Sequence, residues 1–168
     1  MGFKKLKCSI LLGVIYVIFL NLDCLASDRL KIKADSLFYK ESTKEMIASS
    51  NARLEYRSFT VEGPYLFIDT GQKSLTGTGP LFITAEDQDI QADYFSMNLD
   101  SEEFSASNAR ILTDGYDSDS TIVIHAKELR DKKGFKTGKG GKITTCNYQE
   151  PHYSMWAESF QFYPKERV

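Results

Sequence analysis

Ile90-Gln91-Ala92-Asp93-Tyr94-Phe95-Ser96-Met97 carries apolar or small side chains at its first, third, sixth and eighth positions. The first and third lie on one face of a strand, and so do the sixth and eighth. Between the third and the sixth the alternation slips by one residue. In a straight strand that slip would turn the second half outward. A bulge or corner at Asp93 must therefore re-aim the chain so that both halves face one interior. The same pattern recurs as Ile32-Lys-Ala34-Asp-Ser-Leu37-Phe-Tyr39, Val61-Glu-Gly63-Pro-Tyr-Leu66-Phe-Ile68, Ile124-His-Ala126-Lys-Glu-Leu129-Arg-Asp131 and Met155-Trp-Ala157-Glu-Ser-Phe160-Gln-Phe162. Its small residue falls at 34, 63, 92, 126 and 157, a period of roughly 30 residues that belongs to stacked repeat architectures. The residue after it, Asp35, Pro64, Asp93, Lys127 or Glu158, marks the corner. Pro64 has no amide hydrogen to lose there.

A second block follows each of the first four copies. It reads Ile47-Ala-Ser-Ser-Asn51-Ala52-Arg53-Leu54, then Leu75-Thr-Gly-Thr-Gly79-Pro80-Leu81-Phe82, then Phe104-Ser-Ala-Ser-Asn108-Ala109-Arg110-Ile111. The fourth copy, Phe135-Lys-Thr-Gly-Lys139-Gly-Gly-Lys142-Ile143, is looser by one residue. Polar turns join the blocks at Lys40–Lys44, Asp69–Lys73, Asn98–Glu102 and Asp131–Gly134. Nothing after the first 26 residues keeps a helical period over a useful length. The sequence predicts an all-β fold of about ten strands, a repeat-built β-jelly roll with two facing antiparallel sheets in a V. The last copy reaches Val168 with a first block and no second, so the expected domain, 27–168, stops in mid-repeat and leaves an edge strand open to pairing.

Residues 1–26 read as a signal peptide. Lys4, Lys5 and Lys7 precede an uncharged run from Ile10 to Leu20, and Cys24 and Ala26 supply small residues before a cleavage point. That run falls well short of the roughly 20 residues that span a bilayer. Cleavage removes Cys8 and Cys24 and leaves Cys146 as the mature chain's one cysteine.

Over the full chain, 21 basic and 23 acidic residues give a net charge of −2. That balance lacks the basic excess of a nucleic-acid binder. Two histidines, His125 and His152, are too few for a histidine-rich metal site, and Ser154 and Ser159 have no paired base at readable spacing. Gly138-Lys-Gly140-Gly141-Lys142 lacks the ending and the strand-to-helix context of a phosphate loop. The acidic residues Asp114, Asp117 and Asp119 lack the spacing of a calcium loop and read as an insertion. The reading is non-enzymatic, with no catalytic residue, no metal and no cofactor. What remains is the interior. The first-block columns place Ile32, Leu37, Tyr39, Val61, Leu66, Ile68, Ile90, Phe95, Met97, Ile124, Leu129, Phe160 and Phe162 towards one cavity, with Asp131 the exception. Such positions are either packed core or a ligand groove. Trp156 falls in an outward column and is a candidate interface residue.

The two blocks together resemble the OstA-like periplasmic family of lipopolysaccharide transport proteins, which comprises LptA, LptC and the N-terminal part of LptD. The stretch Thr144-Thr145-Cys146-Asn-Tyr-Gln-Glu150-Pro151-His-Tyr-Ser-Met-Trp156-Ala157-Glu158 is similar to the one that precedes the barrel in LptD, although nothing here can form that barrel. The resemblance covers residues 30–168. It implies a periplasmic domain, associated with the outer membrane, whose groove takes lipopolysaccharide acyl chains. It also implies edge-strand pairing with LptA-, LptC- or LptD-type jelly rolls or with an outer-membrane barrel. Cys146 matches a periplasmic cysteine that the family pairs in a disulfide. The family's barrel partner is absent, and the only other cysteine near the mature N-terminus is Cys24. The alternative expectation is a structural fragment of an LptD-type assembly protein without lipid transport of its own.

Overall fold

The computed structural model describes residues 29–85, 88–114, 121–132, 135–146 and 151–162. The expected signal segment 1–26, most of the acidic insertion and the residues after 162 lie outside them. Ten strands are formed: β1 (Lys31–Lys33), β2 (Ser36–Lys40), β3 (Glu45–Tyr56), β4 (Phe59–Asp69), β5 (Ser74–Ala85), β6 (Gln88–Asn98), β7 (Phe104–Asp114), β8 (Thr121–Lys132), β9 (Phe135–Thr144) and β10 (Met155–Phe162). Every pairing is antiparallel, in the order β1-β3-β4-β5-β6-β7-β8-β9-β10, and β2 also pairs with β3. β1 takes Arg53–Glu55 and β2 takes Glu45–Ser49, so together they act as one strand broken at its corner.

Two facing sheets were expected, and the hydrogen bonds make one. Each long strand runs through both halves and bends between them. The pairing register shifts between Ser49 and Ala52, between Glu62 and Tyr65, and between Thr78 and Leu81. The bends lie where the sequence phase slips. A continuous sheet keeps its ladder through the fold line, so backbone groups there stay largely paired.

The corner has a chemical rule that explains both blocks. Asn51, Gly79, Asn108 and Gly140 have φ of 54°, 99°, 51° and 58°. That left-handed region is open to glycine and tolerated by asparagine. Each of these residues meets the one that follows the small residue in the preceding strand. The Asn51 amide donates to Asp35 Oδ2 at 2.7 Å, and the Asn108 amide donates to Asp93 Oδ2 at 2.9 Å. In the second repeat the Asp and Asn are replaced by Pro64 and Gly79, where an added Cβ would come 2.6 Å from the proline ring. In the fourth, the stem of Lys127 lies over Gly140. Asp goes with Asn, while Pro and Lys go with Gly. The fourth copy is thereby put in register: Lys136, not Phe135, is the equivalent of Leu75 and Phe104.

The two halves face each other. Phe59, at the free rim of one half, meets Phe104 of the other edge to face, with ring centroids 6.1 Å apart. An ion pair between Arg57 and Glu102 joins the same two rims outside these rings. The V is drawn together there, and a single buried cluster runs from Ala48 to Leu129.

Candidate functional site

Strand pairing turns the sequence columns into rows that cross the sheet. One row is Ile32–Leu54–Val61–Ile83–Ile90–Ile111–Ile124–Ile143–Met155. A second, in the other half, is Leu37–Ala48–Leu66–Gly77–Phe95–Ala106–Leu129–Gly138–Phe160. A third, nearer the rim of that half, is Tyr39–Met46–Ile68–Leu75–Met97–Phe104–Asp131–Lys136–Phe162. Every interior candidate named from the sequence falls in one of these three rows.

The second row alternates large and small residues. First-block strands supply Leu or Phe, and second-block strands supply Ala or Gly. The alternation lets large side chains spread over their neighbours, as interdigitated packing requires. It is clearest at the end, where a Cβ on Gly138 or Gly141 would fall 2.1 Å from the Phe160 ring. Phe160 therefore lies across both glycines.

Burial changes along the rows. Val61, Leu66, Ile68, Ile90, Phe95, Met97, Ile124 and Leu129 are fully buried. Ile32, Phe160 and Phe162 are half-buried against the cluster. Leu37 and Tyr39 are exposed by 53% and 49%. The rows thus begin open at β2, close in the middle and loosen again at β10. Among the described residues of these rows, apolar interior surface meets solvent at the ends.

The third row contains two charges among apolar residues. Asp131 and Lys136 are both buried and form an ion pair. The Lys136 ammonium lies 5.6 Å from the Phe104 ring centroid and 5.9 Å from that of Phe162, within reach of both ring faces. Asp131 stood out in the sequence as the exception in its column. Lys136 did not, because the looser fourth copy concealed its place. Gln88, at the rim of the opposite half, is also buried, and its Oε1 has no hydrogen-bond partner among the described residues. No sequence signal marked it.

The outer face differs. Trp156 is 68% exposed. It is in register with Lys142, then His125 and Arg110 on the preceding strands. Partial burial, and then the charges of Arg110 and Lys142, push the His125 imidazole below its ordinary value of 6.5. Cys146 is half-buried at the end of β9. Its N–H donates to Thr144 Oγ1 at 3.0 Å, and its Sγ lies 3.6 Å from His152 Nδ1. Thr144 Oγ1 also donates to the Tyr153 carbonyl at 2.8 Å, which ties the loop to the sheet. Cys24 lies outside the described residues. A cleft of about 490 Å³ on β8–β10 is lined by charged and polar residues, among them Glu128, Arg130 and Lys139, together with Gly138 and Phe160. Among the described residues, no group of three or more His, Cys, Asp or Glu side chains is placed to hold a metal ion.

An open sheet, bent at repeated corners and folded on itself over one apolar interior, defines a repeat-built jelly roll. No family model matches the sequence, and no curated protein matches it. Among solved structures, the fold is similar to that of LptH from Pseudomonas aeruginosa, described as the LptA-homologous periplasmic component of a conserved lipopolysaccharide transport device. The TM-score is 0.54 at 10% sequence identity, over 62% of this chain and 76% of that one.

Proposed function

We propose that the protein is a periplasmic, non-enzymatic domain that binds lipopolysaccharide and takes part in its delivery to the outer membrane. The observation that carries this reading is the set of apolar rows running from exposed Leu37 and Tyr39 to half-buried Phe160 and Phe162. The likeness in fold to a transport component supports it. Acyl chains enter at an end, where apolar surface is already open. Each buried methylene contributes about 0.8 kcal/mol, and the row changes little from one repeat to the next, so a chain can move along it without a deep trap. Passage through the middle requires the rims joined by Arg57–Glu102 and Phe59–Phe104 to part.

The edges β2 and β10 offer backbone for pairing with other jelly rolls of the LptA, LptC or LptD type, or with a barrel. Trp156 would lie in such a contact. A disulfide between Cys146 and a partner belongs to the same reading.

The fully buried middle favours a second reading, in which the interior is core alone and the domain is a structural fragment of an LptD-type assembly. A photo-crosslinking residue at Phe160, and separately at Phe95, distinguishes the two in living cells. Lipopolysaccharide adducts at both positions are the expected result. Protein adducts without lipid at either position would establish the structural reading.

A further inference from the structure

The proposed lipid-binding reading leaves two charges buried in the apolar interior unexplained. Ion pairs of this kind are no better for stability than well-packed apolar residues, and are often worse. Elsewhere the third row uses Ile68, Leu75, Met97 and Phe104 in the equivalent places. Asp131 and Lys136 stand one ladder step in from Lys132 and Phe135, the pair at the end of the β8–β9 ladder. They are thus just below the lip of the interior. Their cover on one side is Phe162, a half-buried residue of an edge strand. A buried acceptor with no partner among the described residues, Gln88 Oε1, lies at the rim of the facing half.

We infer that Lys136 is the binding residue for the anionic headgroup of an amphiphile whose chains occupy the β8–β10 end of the interior. Asp131 holds the ammonium in place until the headgroup arrives. This deepens the lipid-binding reading and rests on it. The chemistry selects a phosphate-bearing head. A compact anion at the lip replaces the carboxylate as Lys136's partner, and the aromatic rings keep the ammonium aimed into the interior. Lipid chains passing below meet only apolar rows. The headgroup stays at the rim, where water can solvate the rest of it. Gln88 can accept a hydrogen bond from a hydroxyl of the same head.

The test compares two soluble amphiphiles with the same chain, dodecyl phosphate and dodecyl maltoside, titrated calorimetrically into the whole mature chain. The wild type is expected to bind the phosphate about tenfold more tightly or better, as a charge-assisted contact provides. Replacing both charges by apolar residues (Asp131→Leu with Lys136→Met) is expected to remove that preference and leave maltoside binding within about twofold. Lys136→Arg should retain the preference. Asp131→Asn alone, which needs no repacking of the row, should raise phosphate affinity. A wild type that binds both amphiphiles equally, or a doubly apolar variant that keeps the preference, overturns the inference and leaves the lipid-binding reading standing. So does an unchanged or weakened phosphate affinity in Asp131→Asn. A wild type that binds neither amphiphile overturns the lipid-binding reading and this inference with it.

Discussion

Leu37 and Leu66 occupy the same column in successive copies of the repeat, yet one is 53% exposed and the other fully buried. Tyr39 and Ile68 differ in the same way. The strands around Leu66 have partners on both sides and the other half of the sheet above them. β2 has a partner on one side only, and all five of its residues are exposed. Side-chain type therefore places a residue on the inner face, while strand neighbours decide whether that face is closed. The inner face is sealed in the middle of the molecule and meets solvent at β2 and β10.

The contrast between middle and ends predicts a graded set of responses. Phe95→Ala should cost about 3–5 kcal/mol of folding stability, while Leu37→Ala should stay within about 0.5 kcal/mol. Urea denaturation of the two variants measures the gap. Comparable losses would mean that β2 is covered in solution, and the distinction between middle and ends would fall.

Gly138→Ala is expected to act in between. Its new Cβ has no room while the Phe160 ring lies over it. Overpacking of this kind costs about 1–3 kcal/mol, but an edge strand can relieve it by releasing the ring. Hydrogen exchange should therefore show faster amides in β10, with β3–β7 protected as before. Uniform acceleration across the sheet would show that the ends are coupled to the middle as tightly as the middle is to itself.

A smaller effect tests the corners. Asn108→Ala loses the bond to Asp93 and puts alanine at φ 51°, which should cost about 1 kcal/mol. Asn108→Gly keeps the backbone conformation and should be close to neutral, since Gly79 and Gly140 already do the same work in the other repeats. Equal losses in both variants, read as thermal midpoints, would make the Asp93 contact and not the backbone conformation the source of the effect.

The smallest effect lies on the outer face. His125 has its pKa lowered in the folded state, first by burial and then by Arg110 and Lys142. Below pH 6.5 the unfolded chain takes up that proton more readily than the folded one. The His125 contribution is thus intact above that pH and is lost as pH falls through the folded pKa. Removing the titration with His125→Gln should flatten stability between pH 7 and pH 5 relative to the wild type. An unaltered profile would place the imidazole in solvent, beyond the reach of either charge.

Much of this was legible in the chain. The phase slip inside Ile90–Met97 located the corners, and the residue pairs at those corners repeat in the sequence as Asp with Asn and Pro or Lys with Gly. The inner columns were legible for the same reason: side chains alternate along a strand with a fixed period, whatever the rest of the molecule does. Lys136 was hidden because the fourth copy reads one residue out of step until Gly140 is seen to hold the corner. Gln88 and the contact of Phe59 with Phe104 left no trace, since each depends on what stands across the interior.

By itself, then, the sequence determined the repeat, the strands, their bends and, outside the second block of the fourth copy, the inner columns. These follow from local backbone geometry, and that geometry is written in neighbouring residues. The tertiary structure alone decided that the strands form one sheet, where its rims meet, and which inner positions are sealed. Those properties arise from contacts between segments far apart in the chain. A residue is buried by its neighbours in space, and no local pattern records which neighbours those will be.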